Sequence, residues 1–151
     1  MDDNETPPGD AGPTVVVAVD GSATSAQAMR RALAEAQAHG GVLTVLYAWD
    51  LLDQPPGQKF DPGFNEAKAA EWLEGFIDEV LGAERPAWIV AEVVNDLATR
   101  AIIEASDGAL MVVVGSRGLG GFRGLLLGSV SHQVVNHARC PVLIVPGGER
   151  G

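Results

Sequence analysis

Five short runs of apolar, mostly β-branched residues recur along the chain, separated by segments whose apolar residues follow a helical spacing. The runs occupy residues 14–19, 42–49, 88–94, 110–114 and 142–145. The first (TVVVAV) and the fourth (LMVVV) show no polar alternation, which is typical of strands buried on both faces. Such strands need helices over both sides of a parallel sheet. The pattern therefore predicts a single α/β domain, a doubly wound five-stranded parallel sheet with right-handed crossovers.

Residues that commonly cap helices stand between the runs and predict where four helices begin. The first helix is expected to end at His39-Gly40-Gly41, with glycine as the left-handed cap, and the third to reach about Ser106. The predicted caps or first residues are Ser22 or Thr24 for the first helix, Asp61 followed by Pro62 for the second, Asn95 or Asp96 for the third, and Ser129 for the fourth.

The length of 151 residues suits one domain with a hydrophobic core. We expect a disordered acidic tail at 1–13, the folded domain at 14–147 and a short C-terminal tail at 148–151. Ten Lys and Arg residues against twenty Asp and Glu residues give a net charge of −10. Such a surface repels phosphate backbones, so nucleic acid is an unfavourable partner, whereas one small anion can still be held by local dipoles.

The cellular location is predicted from cysteine usage and from apolar runs. Cys140 is the chain's one cysteine and so cannot form an internal disulfide, which fits a reducing compartment. No apolar run approaches the roughly 20 residues of a membrane span, and the first residues lack the features of an export signal. We therefore expect a cytoplasmic protein that does not associate with membranes.

A glycine-rich segment between the fourth strand and the fourth helix carries the main functional signal. Six of the chain's nineteen glycines fall within the fourteen positions 115–128. Glycine lets bare backbone N–H groups approach an anion, and the N-terminus of the following helix favours negative charge. In doubly wound sheets, ligands bind at the carboxyl ends of the strands where strand order reverses. The segment therefore favours a bound phosphate over a merely flexible surface loop.

Two common phosphate-binding motifs do not match this segment. A P-loop requires a lysine between its last glycine and the Ser or Thr, but Ser129 follows Gly128 directly. A G-x-G-x-x-G pattern that starts at Gly118 and Gly120 would need glycine where Arg123 stands. The phosphate site must therefore be of a different kind.

The segment instead resembles the ATP-binding branch of the universal stress protein family. That branch carries the pattern G-x2-G-x9-G-[ST], which Gly115, Gly118, Gly128 and Ser129 meet. The resemblance extends from VVVAVDGSATSAQAM (15–29) through VVVGSRGLGGFRGLLLGSVS (112–131) to CPVLIVP (140–146). It implies the strand order 3-2-1-4-5, with the ligand between the first and fourth strands.

The resemblance also implies which residues surround an adenine nucleotide. They comprise Asp20 for the adenosine, Ala18 at the pocket floor, Ala48 where backbone groups contact adenine, Val114 and Gly115 beside the ribose, and Gly118, Gly128, Ser129, Val130 and Ser131 around the phosphates. The hydroxyls of Ser129 and Ser131 are expected to donate to phosphate. Arg117 and Arg123 are candidate phosphate contacts, and exposed loop charges are the alternative for both.

Other polar residues favour structural interpretations. Asp20 could equally form an Asx-turn or cap ahead of the first helix, and Asp50 is better explained as a solvated loop residue than as a metal ligand. His132 and His137 are five residues apart and do not share a helix face, so they make no metal pair. Cys140 has no base partner and fits a packing role. No metal site formed by protein side chains is predicted.

The sequence therefore predicts a regulatory protein that binds ATP, or ADP or AMP, with or without Mg²⁺, and signals through nucleotide occupancy. A slow ATPase or nucleotidyl transferase is the alternative from a different class, but the loop offers no P-loop lysine and no convincing base. A nucleotide-free scaffold would lack the glycine pattern. The apolar run 142–145 at a sheet edge, together with the family resemblance, predicts a homodimer through that strand.

Overall fold

The computed structural model describes residues 12–117 and 127–147. Its elements alternate along the chain as the sequence pattern predicts. They are β1 (Thr14–Ala18), α1 (Ala23–His39), β2 (Val42–Trp49), α2 (Glu66–Leu81), β3 (Ile89–Asn95), α3 (Ala98–Ser106), β4 (Met111–Gly115), α4 (Ser129–His137) and β5 (Val142–Val145). All four pairings in the sheet are parallel and the strand order is 3-2-1-4-5, which confirms the predicted fold.

The sheet separates two apolar cores, one on each face. Val15 and Val17 of β1 belong to the core under α1 and α2, whereas Val16 between them belongs to the core under α3 and α4. All three side chains are at most 3% exposed. Because successive side chains of a strand point to opposite faces, a strand covered on both sides must be apolar at every position. This explains the uninterrupted β-branched runs.

The first helix begins and ends as its sequence predicts, and the choice between its two cap candidates is resolved. Ser22 is the N-cap, since its Oγ accepts a hydrogen bond from the Ser25 backbone N–H at 3.1 Å. Gly40 ends the helix with φ +65°, in the left-handed region that glycine enters without a Cβ penalty. Thr24, the other candidate, is instead a residue of the first turn.

The second helix begins later than predicted. Its N-cap is Asn65, whose Oδ1 accepts from the Lys68 N–H at 2.9 Å, so the expectation of a cap at Asp61-Pro62 was wrong. The Asp61 carboxylate accepts instead from the Gly63 N–H at 2.8 Å and forms an ion pair with Lys68 at 2.7 Å. Asp61 therefore closes a separate turn ahead of the helix.

The third helix lacks the cap that was expected for it. Leu97 occupies the N-cap position without a side-chain hydrogen bond, so the prediction of Asn95 or Asp96 was also wrong. Asn95 is the last residue of β3, where it pairs with Trp49, and the Asp96 carboxylate accepts from the neighbouring Leu97 N–H at 2.7 Å. Within residues 12–117 and 127–147, no helix combines the length and apolar character that a membrane crossing requires.

Candidate functional site

A cavity of about 270 Å³ lies at the carboxyl ends of β1, β2 and β4, where the strand order reverses. Open α/β sheets bind ligands at this position. Its inner end is apolar, formed by Leu46, Ile102 and the predicted residue Val114. The other predicted site residues that line the cavity are Ala18, Asp20, Ala48, Gly115, Arg117, Gly128, Ser129, Val130 and Ser131. Gly118 and Arg123 lie outside the described residues.

Hydrogen bonds hold the two ends of the glycine-rich segment together. The Gly128 N–H donates to the Ser116 carbonyl at 2.7 Å, and the Ser131 hydroxyl donates to the Gly115 carbonyl at 2.6 Å. The Ser116 N–H in turn donates to the Val145 carbonyl at 2.8 Å. These bonds fix the start of α4 against the end of β4. The Ser131 hydroxyl thus donates to the Gly115 carbonyl in this structure, and its predicted contact with phosphate stays a prediction.

The backbone amides at the start of α4 remain available. The first intrahelical hydrogen bond runs from the His132 N–H to the Gly128 carbonyl at 2.9 Å. The N–H groups of Ser129, Val130 and Ser131 have no acceptor within the described parts of the chain. These residues line the cavity, and the first turn carries no acidic side chain. Unpaired amides and the positive end of the helix dipole make this wall favourable for an anion.

Two carboxylates also line the cavity, those of Asp20 and Asp53. The Asp20 Oδ1 accepts from the Ser22 N–H at 2.9 Å, so the predicted Asx-turn is present in a residue that also faces the cavity. The Asp50 carboxylate accepts from the Leu52 and Asp53 N–H groups, which confirms its interpretation as a loop residue. The cavity lining therefore combines backbone amides that favour an anion with carboxylates that repel one.

Two groups near these carboxylates have raised pKa values, chiefly through burial and then through the neighbouring negative charges. Partial loss of hydration, followed by the carboxylates of Asp50 and Asp20, raises the pKa of Asp53 above its ordinary value. Burial, followed by Asp53, Asp20 and Asp50, raises the pKa of the Tyr47 phenol well above its usual range. Tyr47 also lines the cavity and is 4% exposed. A ligand here must present hydrogen-bond donors or neutral surface, because further negative charge would be repelled.

The raised pKa of Asp53 leads to a stability prediction. The folded protein holds this proton more tightly than the unfolded chain, so the ionised carboxylate destabilises the fold above its folded-state pKa, and this cost disappears in acid. Asp53→Asn should therefore raise the melting temperature at neutral pH. The gain in the free energy of unfolding should stay below about 1 kcal/mol, because solvent screens the Asp53 carboxylate. The gain should vanish below about pH 4, the ordinary range of the Asp carboxyl group. Thermal melts of both proteins across pH measure this, and a gain that persists in acid would contradict it.

Sequence reasoning missed nine of the residues that line the cavity, among them the polar residues Tyr47, Asp53 and Gln54. The Gln54 side-chain amide bonds to Leu51 and Asp61, donating to both carbonyls and accepting from the Asp61 N–H at 2.9 Å. These contacts order the connection that follows β2. The position of these three polar residues in the sequence could have identified them, because polar residues near the carboxyl end of a parallel strand lie at the edge of the sheet where ligands bind.

The remaining candidates stay outside the cavity. His132 and His137 both have exposed side chains on α4. Cys140 is half-buried against the α3–α4 side of the sheet, and burial raises the pKa of its thiol, which disfavours the reactive thiolate. Within the described residues, no group of three or more His, Cys, Asp or Glu side chains is arranged to hold a metal ion.

Comparisons with known proteins agree on one family. Residues 13–146 match the model of the universal stress protein family. Universal stress protein Rv2623 of Mycobacterium tuberculosis is 34% identical over 140 residues, which cover 86% of this chain and 44% of that protein. The chain thus spans less than half the length of this curated relative.

Solved structures of similar proteins share the fold. The crystal structure of a universal stress protein in complex with cAMP is 30% identical, with a TM-score of 0.67, and the match covers 91% of this chain and 99% of that one. The universal stress protein UspA from Lactobacillus plantarum is 21% identical, with a TM-score of 0.69 over 88% of this chain and 97% of its own. The second likeness concerns the fold alone.

Proposed function

The chain belongs to the universal stress protein family, and from that premise we propose that it binds an adenine nucleotide, chiefly ATP, in the cavity at the ends of β1 and β4. Nucleotide occupancy is the signal that the protein passes to its partners. ADP and AMP share the adenosine part and compete for the same site, and Mg²⁺ accompanies the longer phosphate chains.

One observation carries this proposal: the N–H groups of Ser129, Val130 and Ser131, which have no acceptor among the described residues, line a cavity whose inner end is apolar. A nucleotide needs both features, since its base is largely apolar and its phosphates are anionic. The amide wall accommodates the phosphates, and Arg117 adds a positive charge on the same cavity. The relative solved in complex with cAMP supports a nucleotide as the ligand class.

The polarity of the cavity also orients the ligand. Phosphates placed beside Asp20 and Asp53 would be repelled, whereas the hydroxyls of a ribose and the amino group of adenine can donate to these carboxylates. The adenosine therefore lies towards these carboxylates and towards the small residues Ala18 and Ala48, where the absence of long side chains leaves room for flat rings. The phosphates then extend towards α4.

Calorimetric titration with ATP and with adenosine tests the proposed orientation. We expect Asp20→Ala to weaken both ligands alike, by about 1–3 kcal/mol for a lost hydrogen bond to a charged group. Asp20→Asn is the matched control for folding, because its side-chain oxygen can still accept from the Ser22 N–H. A loss confined to ATP would contradict the placement of adenosine beside Asp20, and failure of the parent protein to bind either ligand would reject the proposed function.

Hydrolysis is expected to be slow or absent. Backbone amides stabilise the charge of bound phosphate without orienting a water molecule for in-line attack. Steady-state turnover of ATP by the purified protein should therefore stay far below the kinase scale of roughly 1–100 per second. A rate within that range would favour the alternative, an ATPase or nucleotidyl transferase on the same scaffold.

We further propose that the protein acts as a homodimer in the cytoplasm. β5 is an edge strand of the sheet, and its four apolar residues are all only half-buried in the single chain. An apolar strand edge invites pairing with another copy. The curated relatives extend beyond the part that this chain matches, so their further activities are not transferred to it.

A further inference from the structure

We propose that Thr24 is a positioning residue, whose contact with Gly115 sets the separation between α1 and α4 and so the fit of the nucleotide between them. The inference rests on the proposed function, because it concerns the geometry of that same cavity. Neither the glycine pattern nor the list of expected nucleotide contacts includes Thr24.

The contact is steric and specific. A Cβ added at Gly115 would overlap the Thr24 Cγ2 methyl group and would lie 3.3 Å from the Thr24 Cβ. The other nearest atom, the Thr24 backbone carbon, lies at 3.5 Å, which is ordinary contact. Gly115 is absent from the described glycines with positive φ, so its backbone conformation itself would accept alanine. The close approach of α1 is therefore the reason that glycine is needed here.

Gly115 is held from the other side by α4. Its carbonyl accepts the Ser131 hydroxyl at 2.6 Å, so the end of β4 lies between the first turn of α1 and the first turn of α4. Both turns line the cavity, α1 through Ser22 and Ser25 and α4 through its first three residues. Any displacement of Gly115 must therefore change the distance between these two walls.

This arrangement matters because a nucleotide contacts both walls at once. Binding sites tolerate errors of about 0.5 Å in their first contacts before affinity falls. Relieving an overlap with a methyl group in a closely packed region requires movement of that order. The space beside Thr24 therefore tunes ligand affinity although Thr24 itself does not line the cavity.

The test is a steric rescue. Gly115→Ala should weaken ATP binding by about tenfold or more, as expected for a small misplacement of binding groups. Thr24→Ser removes the opposing methyl group and should by itself weaken ATP binding less than Gly115→Ala does, because it loosens the contact without creating an overlap. The double variant should recover most of the parent affinity, because the overlapping atom is gone. Calorimetry with ATP, together with thermal melts of all four proteins, measures this.

The possible results distinguish failure of the role proposed for Thr24 from failure of the proposed nucleotide binding. Equal ATP binding by parent and Gly115→Ala, or no recovery in the double variant, overturns the role of Thr24 while the proposed function stands. No ATP binding by the parent overturns both. If Gly115→Ala does not fold, Thr24→Ile serves as a second variant, because its larger side chain crowds Gly115 from the α1 side and should lower the affinity for ATP. Thr24→Val, which has the shape of threonine, should not lower it. Equal affinities of these two variants would also overturn the inference.

Discussion

Replacing Ser129 with Asp should weaken ATP binding about thirtyfold or more without unfolding the protein. The new carboxylate would stand in the first turn of α4, beside the backbone amides that we assign to the phosphates. Two like charges about 4 Å apart near a protein surface repel by about 4 kcal/mol before solvent screening. Because the Ser129 side chain is exposed, we expect roughly half of this, a loss of about thirtyfold or more in affinity for ATP.

The same change should leave the fold intact or slightly more stable. An acidic residue in the first turn interacts favourably with the helix dipole, by about 0.3–1 kcal/mol. Adenosine, which carries no phosphate, should bind the Asp variant nearly as well as the parent. Ser129→Asn is the matched control, with similar shape and no charge, and should retain most of the ATP affinity. If ATP binds the folded Asp variant as tightly as the parent, the phosphates do not lie at α4.

Replacing Leu143 with Lys should convert the proposed homodimer into a monomer. Leu143 is the second residue of β5, and its half-buried side chain packs against the α1–α2 core. The outer edge of β5 pairs with no other strand in the described parts of the chain. A lysine can keep its aliphatic stem on the core with its ammonium group in water, but it then places a charge at the pairing edge. Light scattering at about 50 µM protomer, where a standard-size interface stays associated, should show a dimer for the parent.

The other edge of the sheet supplies a control for this prediction. Val93 of β3 is also half-buried against the α1–α2 core and also lies on an edge strand. Val93→Lys should therefore cost similar packing and leave the dimer intact. A monomeric parent, or dissociation by both substitutions, would contradict pairing through β5.

The fold was predictable because its strands leave a local signature. Val15, Val16 and Val17 must each be apolar since neighbouring positions face different cores, and this pattern is readable without any partner strand. The start of α2 was not predictable in this way. Asp61-Pro62 has the local form of a helix cap, but the Gln54 side chain, seven residues earlier, bonds to the Asp61 backbone and holds it in the loop. Local patterns do not contain such contacts.

The candidate site was predicted to a similar depth. The family resemblance implied that Asp20, Ala48 and Gly115 surround one ligand, and all three line the cavity because parallel strands end at one edge of the sheet. The orientation of the Ser131 hydroxyl could not be predicted, since its acceptor is a carbonyl sixteen residues away. The packing of Thr24 on Gly115 depends on how closely α1 approaches β4, a tertiary distance that no spacing in the sequence expresses.

The most direct test follows the backbone amides at the start of α4 by NMR during titration with ATP and, separately, with adenosine. We predict that the amide resonances of Ser129, Val130 and Ser131 shift strongly with ATP and only weakly with adenosine, because phosphate oxygens accept hydrogen bonds from these three N–H groups. Resonances of Asp20 and Ala48 should shift with both ligands. If saturating ATP leaves the amide resonances of these three residues unshifted, the phosphates do not bind at the start of α4, whether or not ATP binds elsewhere on the protein.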